Sequence, residues 1–438
     1  MNPARRHITL QRALTSCALL FSVAAAQLAL AENWPGWRGP ERNGTTTDHA
    51  PRTWSATSGV RWKMPLPGSG ISNPIVWNKH VVCTSSDGPR QQDLHVICLD
   101  RDNGRERWHA RLWGTAPTLY HETKSSMASP SPVTDGEFVY AFFGSGDVFC
   151  LELDSGQLVW QRSLAKEYGP FENRFAASSS PLLLGDQLIL QCDHYGPSYV
   201  LAIDARTGAN RWKSDRPDVW LSWSSPVAAS LPGGSLELVL CGSERVDGYD
   251  PRDGRKLWTA RGLSRECIPT PITAHGVVYV TSGPNGASYA LRPGGRDDVS
   301  DSHLVWSSNR GNPFVPSAIV VNDYYYLVDD HGIGTCLSAK TGKTIWKKRL
   351  GGEFTASPVA ANGRIYFTNE AGSTLVIQGG SSKYEELARN SIDEPVFASA
   401  AIADGKLFLR SAVGLWCFGP DEQASHSSRQ EHQSSLVK

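Results

Sequence analysis

The chain has 438 residues, room for one large or two or three ordinary domains. Lys plus Arg balance Asp plus Glu at 43 each, so charge offers no reason to expect a nucleic-acid partner. Fifteen tryptophans, 41 glycines and 27 prolines point to many short strands joined by turns, and so to an all-β protein.

Residues 1–31 read as a secretory signal peptide. Arg5, Arg6 and Arg12 form a basic start, Ala13 to Ala26 is apolar, and Ala29-Leu30-Ala31 is a small-residue cleavage site. The apolar run is too short to favour a retained membrane span. Leu14-Thr15-Ser16-Cys17 has the outline of a lipobox, but the apolar run follows Cys17 instead of preceding it, which argues against lipidation. Cleavage after Ala31 leaves a slightly acidic mature chain destined for the periplasm or the outside.

Residues 32–57 contain "NWPGWRGPERNG", with Trp34, Trp37, two prolines, three glycines and no aliphatic residue. It is too rigid and aromatic for a free tail. From residue 58 onward the chain repeats. "LDRDNGRERWHA", "LELDSGQLVWQR", "IDARTGANRWKS", "YDPRDGRKLWTA" and "LSAKTGKTIWKK" share an apolar residue, a Gly and a Trp four positions on. Their tryptophans are Trp108, Trp160, Trp212, Trp258 and Trp346, with Trp306 in a looser copy and Leu387 in a degenerate one. Each unit starts at a Ser-Pro-like step: Ser131-Pro132, Ser180-Pro181, Ser225-Pro226, Thr270-Pro271 and Ser357-Pro358, with Asn73-Pro74, Ser317 and Ser399 as variants. An apolar strand, a turn, a second strand and the Gly–Trp hairpin follow, four strands in about 45 residues.

A sheet of four such short strands cannot bury both faces alone. Stacked radially, neighbouring sheets bury each other, and the Trp of each outer strand fills the gap. The predicted fold is an all-β, eight-bladed β-propeller of four-stranded antiparallel blades spanning residues 58–420. The eighth blade lacks its Trp strand after "LWCFGP", and "SGVRWKMPL" with Trp62 is a Trp strand without a blade. The N-terminal strand is expected to close the ring. The 32–57 segment is expected to pack on the propeller near that closure, with Arg38 pairing locally. The polar composition of 421–438 predicts a disordered tail.

Eight cysteines remain after cleavage, scattered singly and best read as small core hydrophobes. Cys83 and Cys98, on neighbouring predicted strands, are the pair best placed to be oxidised.

One face of such a disc carries the Gly–Trp turns. The other carries the loops between blades and between second and third strands, where variation concentrates and function is expected. The candidate partner- or ligand-binding rim there comprises Tyr120, His121 and Glu122 in the longest loop, then Phe171, Glu172 and Arg174, Trp220 and Trp223, Arg265, Arg310, Phe314 and Glu353. Asp193-His194-Tyr195, Glu244-Arg245 and Asp329-Asp330-His331 lie between second and third strands. No catalytic residue and no metal ligand is assigned. His121-Glu122 lacks the second His of a zinc-protease motif, Asp329-Asp330-His331-Gly332 reads as a turn, and Gly342-Lys343-Thr344 has Leu337 where a phosphate loop needs Gly.

The D-x-x-T/D/S-G-x-x-x-W repeat resembles that of the PQQ-like repeat family, over nearly the whole mature chain. That family includes quinoprotein alcohol dehydrogenases and the BamB envelope propellers, and the WPGWRGP opening is similar to that of many secreted bacterial members. The resemblance implies a propeller in the bacterial envelope, specific for fold and poorly specific for activity. Its first functional implication is a non-enzymatic monomeric scaffold binding envelope proteins, neither membrane-spanning nor bound to nucleic acid, with no cofactor. The alternatives are a dehydrogenase using PQQ with calcium, although the adjacent-cysteine ring of the quinoproteins is absent, and a glycan- or small-ligand-binding module built on the rim aromatics.

Overall fold

Every repeat folds as an antiparallel meander whose apolar second and third strands are buried on both faces, which is why they read as continuous hydrophobic runs. The computed structural model describes residues 33–116, 118–283, 286–309 and 311–419. The expected signal peptide with Cys17, the tail from 421, and Arg310 lie outside them. Blade 1 comprises strands Ile75–Trp77, His80–Asp87, Asp93–Asp100 and Glu106–Trp113. Blade 2 comprises Val133–Thr134, Phe138–Phe142, Asp147–Glu152 and Leu158–Ser163, and blade 3 Leu182–Leu184, Gln187–Cys192, Tyr199–Asp204 and Asn210–Asp215. Blade 4 comprises Val227–Ser230, Leu236–Gly242, Arg245–Tyr249 and Lys256–Arg261, and blade 5 Ile272–Ala274, Val277–Thr281, Ser288–Leu291 and Leu304–Ser308. Blade 6 comprises Ile319–Val321, Tyr324–Val328, Ile333–Ser338 and Thr344–Arg349, and blade 7 Val359–Ala361, Arg364–Thr368, Ser373–Gln378 and Glu386–Ser391. Blade 8 takes Ala401–Ala403, Lys406–Arg410 and Gly414–Phe418 from the C-terminal end and its outer strand, Val60–Pro65, from the N-terminal end. That antiparallel pairing closes the ring as the orphan Trp62 strand predicted.

The core is a set of wedges between facing blades, not one central mass. The repeat's Trp and Gly meet across those wedges. Trp108 of blade 1 donates its indole N–H to Leu153 O of blade 2 (2.8 Å), and Trp62, Trp160, Trp212 and Trp306 make the same bond to Arg101, Ala205, Pro251 and Ala339 of the following blade. The next blade's hairpin glycine lies flat against that ring. At Gly156, φ is +71° and a Cβ would stand 2.5 Å from Trp108. The position therefore excludes side chains twice, by backbone conformation and by the neighbour's ring. The same ring-on-glycine contact recurs at Gly104, Gly208, Gly254 and Gly342. Trp258 departs from the pattern and donates to Glu237 of its own blade (2.9 Å). In blade 5 the hairpin is replaced by a longer loop, which lays Asp297–Asp298 parallel onto the edge of blade 4.

The Ser-Pro steps form a second interblade device. In seven of the eight, the backbone N–H donates to the hydroxyl of the counterpart one blade on: Asn73 to Ser131, Ser131 to Ser180, Ser180 to Ser225, Ser225 to Thr270, Thr270 to Ser317, Ser317 to Ser357 and Ser357 to Ser399, at 2.9–3.4 Å. The chain of bonds circles the axis.

All eight described cysteines are free and buried. The expected Cys83–Cys98 pair is corrected by register. Cys83 sits opposite Ile97 and Cys98 opposite Val82, and the two thiols point to opposite faces of blade 1, Cys83 toward blade 8 and Cys98 toward blade 2.

Trp34 packs at the ring closure as expected, buried in one cluster with Trp62 and the blade 8 strands, but the residues after it do not stay there. They cross the axial channel on the hairpin face. Trp34 exchanges two backbone hydrogen bonds with Val76 of blade 1, Pro35 O accepts from Thr134 of blade 2, and Arg42 donates to Leu183 O of blade 3 (2.8–2.9 Å). Trp37 donates to Thr270 Oγ1 of blade 5 (2.9 Å), and Thr45–Thr46 run parallel to Val359–Ala361 of blade 7. Arg38 is 2% exposed and donates to Ala318 O of blade 6 (2.6 Å), Pro358 O of blade 7 (2.7 Å) and Asn43 O (3.0 Å). No described carboxylate pairs with it, and burial pushes its pKa down to about 9, against the pull of Tyr325. The physical reason is the inner strands' edges, which present unpaired N–H and C=O groups to the axis that a Gly/Pro-rich segment can reach. Trp54 joins Trp34 at the closure, stacked against Tyr366 (6.3 Å) and Phe418 (5.3 Å).

Candidate functional site

The meander sends the turns after first and third strands to the hairpin face, and the second-strand turns and interblade loops to the other. With the hairpin face occupied by tight turns and residues 33–46, candidate chemistry belongs to the loop face. Four of the exposed large apolar side chains of the described residues, Trp113, Leu119, Tyr195 and Trp220, are carried there by blades 1, 3 and 4 and the loops beside them.

The axis itself has little room. Between Trp37, Trp223, Phe397 and the hydroxyl ring lies a cavity of about 90 Å³. Cavities that hold cofactors run to roughly 300–1,000 Å³, and these hydroxyls are already committed between blades. Among the described residues no three His, Cys, Asp or Glu side chains come together to hold a cation. The residues at the axis do not fit a quinone held with calcium. Asp329 and Asp330 serve backbone instead. Asp329 accepts from His331 and Ile333 N–H (3.1 and 2.8 Å), and Asp330 from Phe314 and Val315 N–H (2.7 and 3.2 Å).

A larger groove, about 790 Å³, runs over the loop face of blades 1–3. It gathers four sequence candidates: Tyr120 from the blade 1–2 loop, and Phe171, Glu172 and Arg174 from the blade 2–3 loop. Phe171 is its buried floor, 4.9 Å from the His194 ring and 6.2 Å from Phe142. Burial pushes the His194 pKa down to about 4, so that imidazole is neutral. The Arg174 guanidinium lies 5.7 Å over the Tyr195 ring, a cation–π arrangement. Sequence reasoning placed Tyr195 among turn residues but missed Arg90, Leu119 and Asn173 as groove walls. The one available signal for Arg90 was the unusual strand length of blade 1, eight residues in its last three strands, which lifts the Pro89–Arg90 turn toward the neighbouring loops.

The remaining candidates are dispersed. Trp220 and Arg265 form their own cation–π pair at 4.7 Å. His121 is exposed and stacks on Phe175 (5.8 Å), which meets Trp223 edge-on (5.7 Å). Trp223 is buried rather than rim-exposed, its indole N–H donating to Ala176 O (3.0 Å), because it packs toward the axis. Glu122 and Glu353 are exposed, and Phe314 is half-buried. Lys124 crosses the channel mouth to pair with Glu370 of blade 7, tying the longest loop down on the far side. Asp193 and Arg245, expected on the rim, are buried in an ionic network between blades 3 and 4. Asp193 accepts from Arg216 Nε (2.9 Å), Arg216 faces Asp247 (3.4 Å), and Arg245 donates to Asp247 (3.2 Å). Burial works against the Arg216 charge, yet Asp193, Tyr249 and Asp247 outweigh it and hold its pKa raised.

Comparison with known proteins agrees with this architecture. The family model described as outer membrane protein assembly factor BamB matches residues 52–218, 196–319 and 242–414. The Yersinia pestis outer membrane protein assembly factor BamB is 25% identical over 339 residues, covering 73% of this chain and 78% of that protein. Among solved structures, BamB from Moraxella catarrhalis superimposes with a TM-score of 0.59 at 15% identity, over 82% of this chain and 96% of that one. A quinohemoprotein alcohol dehydrogenase from Pseudomonas putida gives 0.64 at 10% identity, over 88% and 80%. At such identities these two likenesses speak for the fold alone.

Proposed function

The chain belongs to the outer membrane protein assembly factor BamB family, and on that premise we propose that it is a non-enzymatic scaffold of the bacterial envelope that docks partner proteins on its loop face. The observation that carries the reading is the asymmetry of the disc. One face is taken up by hairpins and residues 33–46, while the other exposes Trp113, Leu119, Tyr195 and Trp220, of which Leu119 and Tyr195 line an open groove. Scattered apolar residues are ordinary on a surface, but large apolar side chains exposed beside a groove are what protein interfaces use as anchors. No helix of the described residues is long and apolar enough to cross a membrane.

The test is site-specific photo-crosslinking in the native cells, with the crosslinker at Leu119 or Trp220 and, as control, at Ile345 on an outer-strand edge. Discrete adducts with envelope proteins from the first two positions and not the third are expected. Equal adduct patterns from all three, or none, would sink the proposal.

A further inference from the structure

The groove over blades 1–3 has more donors than acceptors. Arg90 and Arg174 make no ion pair with any described residue, and the single acidic side chain on its walls is Glu172. Asn173 is 5% exposed, and its Nδ2 is buried with no acceptor, while its Oδ1 takes the Phe175 N–H (3.4 Å). Two guanidinium groups without a carboxylate partner, Arg174 resting on the Tyr195 ring, therefore ask for carboxylates. Leu119, 72% exposed at the same groove, asks for an apolar side chain.

We infer that the groove binds an extended, acidic peptide segment of a partner protein, with carboxylates on Arg90 and Arg174 and an apolar side chain on Leu119. This rests on the scaffold reading and names the chemistry of its partner. An anionic polysaccharide would satisfy the arginines, but the groove gives its rings little open aromatic face to stack on. Here Arg174 lies over one face of Tyr195, Phe171 is the buried floor against His194, and Tyr120 is partly buried against the core between blades 1 and 2. The exposed aliphatic Leu119 has no use for a sugar.

The experiment is fluorescence anisotropy on the mature protein with a labelled octapeptide alternating Asp and Leu, its Lys-for-Asp counterpart, and alginate oligomers as competitor. The acidic peptide should bind saturably, and the Lys peptide about tenfold more weakly or worse. R90E/R174E, both surface changes, should cost about tenfold in affinity with an unaltered melting temperature. Equal binding of both peptides, unchanged affinity in R90E/R174E, or alginate binding more tightly than the peptide would each overturn the inference. If wild-type crosslinks to envelope proteins persist while the acidic peptide does not bind, the inference fails and the scaffold reading stands. If the crosslinks are absent as well, both fail.

Discussion

Replacing Gly156 with Ala tests whether the repeat's glycine is required by its own backbone or by the neighbouring blade. Its φ of +71° is unfavourable for alanine, by about 1–2 kcal/mol. The new Cβ would also stand 2.5 Å from Cδ2 and Cε3 of Trp108, forcing the ring off its bed and straining the hydrogen bond to Leu153 O. Overpacking of that kind costs about 1–3 kcal/mol, so G156A should lose about 2–5 kcal/mol in all. Gly405 supplies the internal control. Its φ is +69°, but no atom lies within 4 Å of a Cβ there, so G405A should lose only the backbone part. Denaturant unfolding followed by tryptophan fluorescence, with the slope checked for constancy, gives both values. In a Trp108→Ala background the cost of G156A should fall to that of G405A, which is the coupling a double-mutant cycle isolates. Equal losses in G156A and G405A on the wild-type background would show that the indole exerts no demand and that the interblade contact is incidental.

Ser225→Ala removes the acceptor for the buried Ser180 N–H and should cost about 1–3 kcal/mol by the same assay, whereas Ser225→Thr should cost less; equal costs would deny the hydroxyl ring a role. Asp204 and Asp250 are held at pKa values of about 2, chiefly by hydrogen bonds from Arg211 and Arg252. Depressed carboxylate pKa values contribute stability that is present above the ordinary value near 4 and lost as pH falls through about 2. Acid titration should therefore show a loss of stability in that window that D204N shares less steeply; a parallel loss in D204N would contradict it. Burial pushes the thiols of Cys83 to about 11 and of Cys150 and Cys241 to about 12. An aromatic disulfide reagent at pH 8 should leave all eight described cysteines unmodified until denaturant is added, and rapid native-state labelling would refute that burial.

The propeller was legible in the sequence because its signals are local and repeated. The Gly–Trp hairpin and the Ser-Pro step are each a few residues long, and their recurrence reveals one unit stacked eight times. The missing eighth Trp strand and the unattached Trp62 strand could be matched for the same reason. The rim was half legible. Loop position identified Tyr120, Phe171, Glu172 and Arg174, which do share one groove, but it also nominated Trp223, which packs inward, and Asp193 and Arg245, which neutralise one another in the interior. Loops carry no periodicity from which the direction of a side chain can be read.

Sequence by itself determined the architecture, the blade boundaries and the ring closure, because each follows from short-range chemistry repeated at a fixed spacing. Tertiary structure alone decided four things. It set the serine of one blade as acceptor for the next, turned Cys83 and Cys98 to opposite faces, and sent Arg38 across the axis to carbonyls 280 and 320 residues away in the chain. It also left Asn173 without an acceptor beside two unpaired arginines. Such pairings depend on which groups the closed ring brings within hydrogen-bonding reach, and no local stretch of sequence encodes that distance.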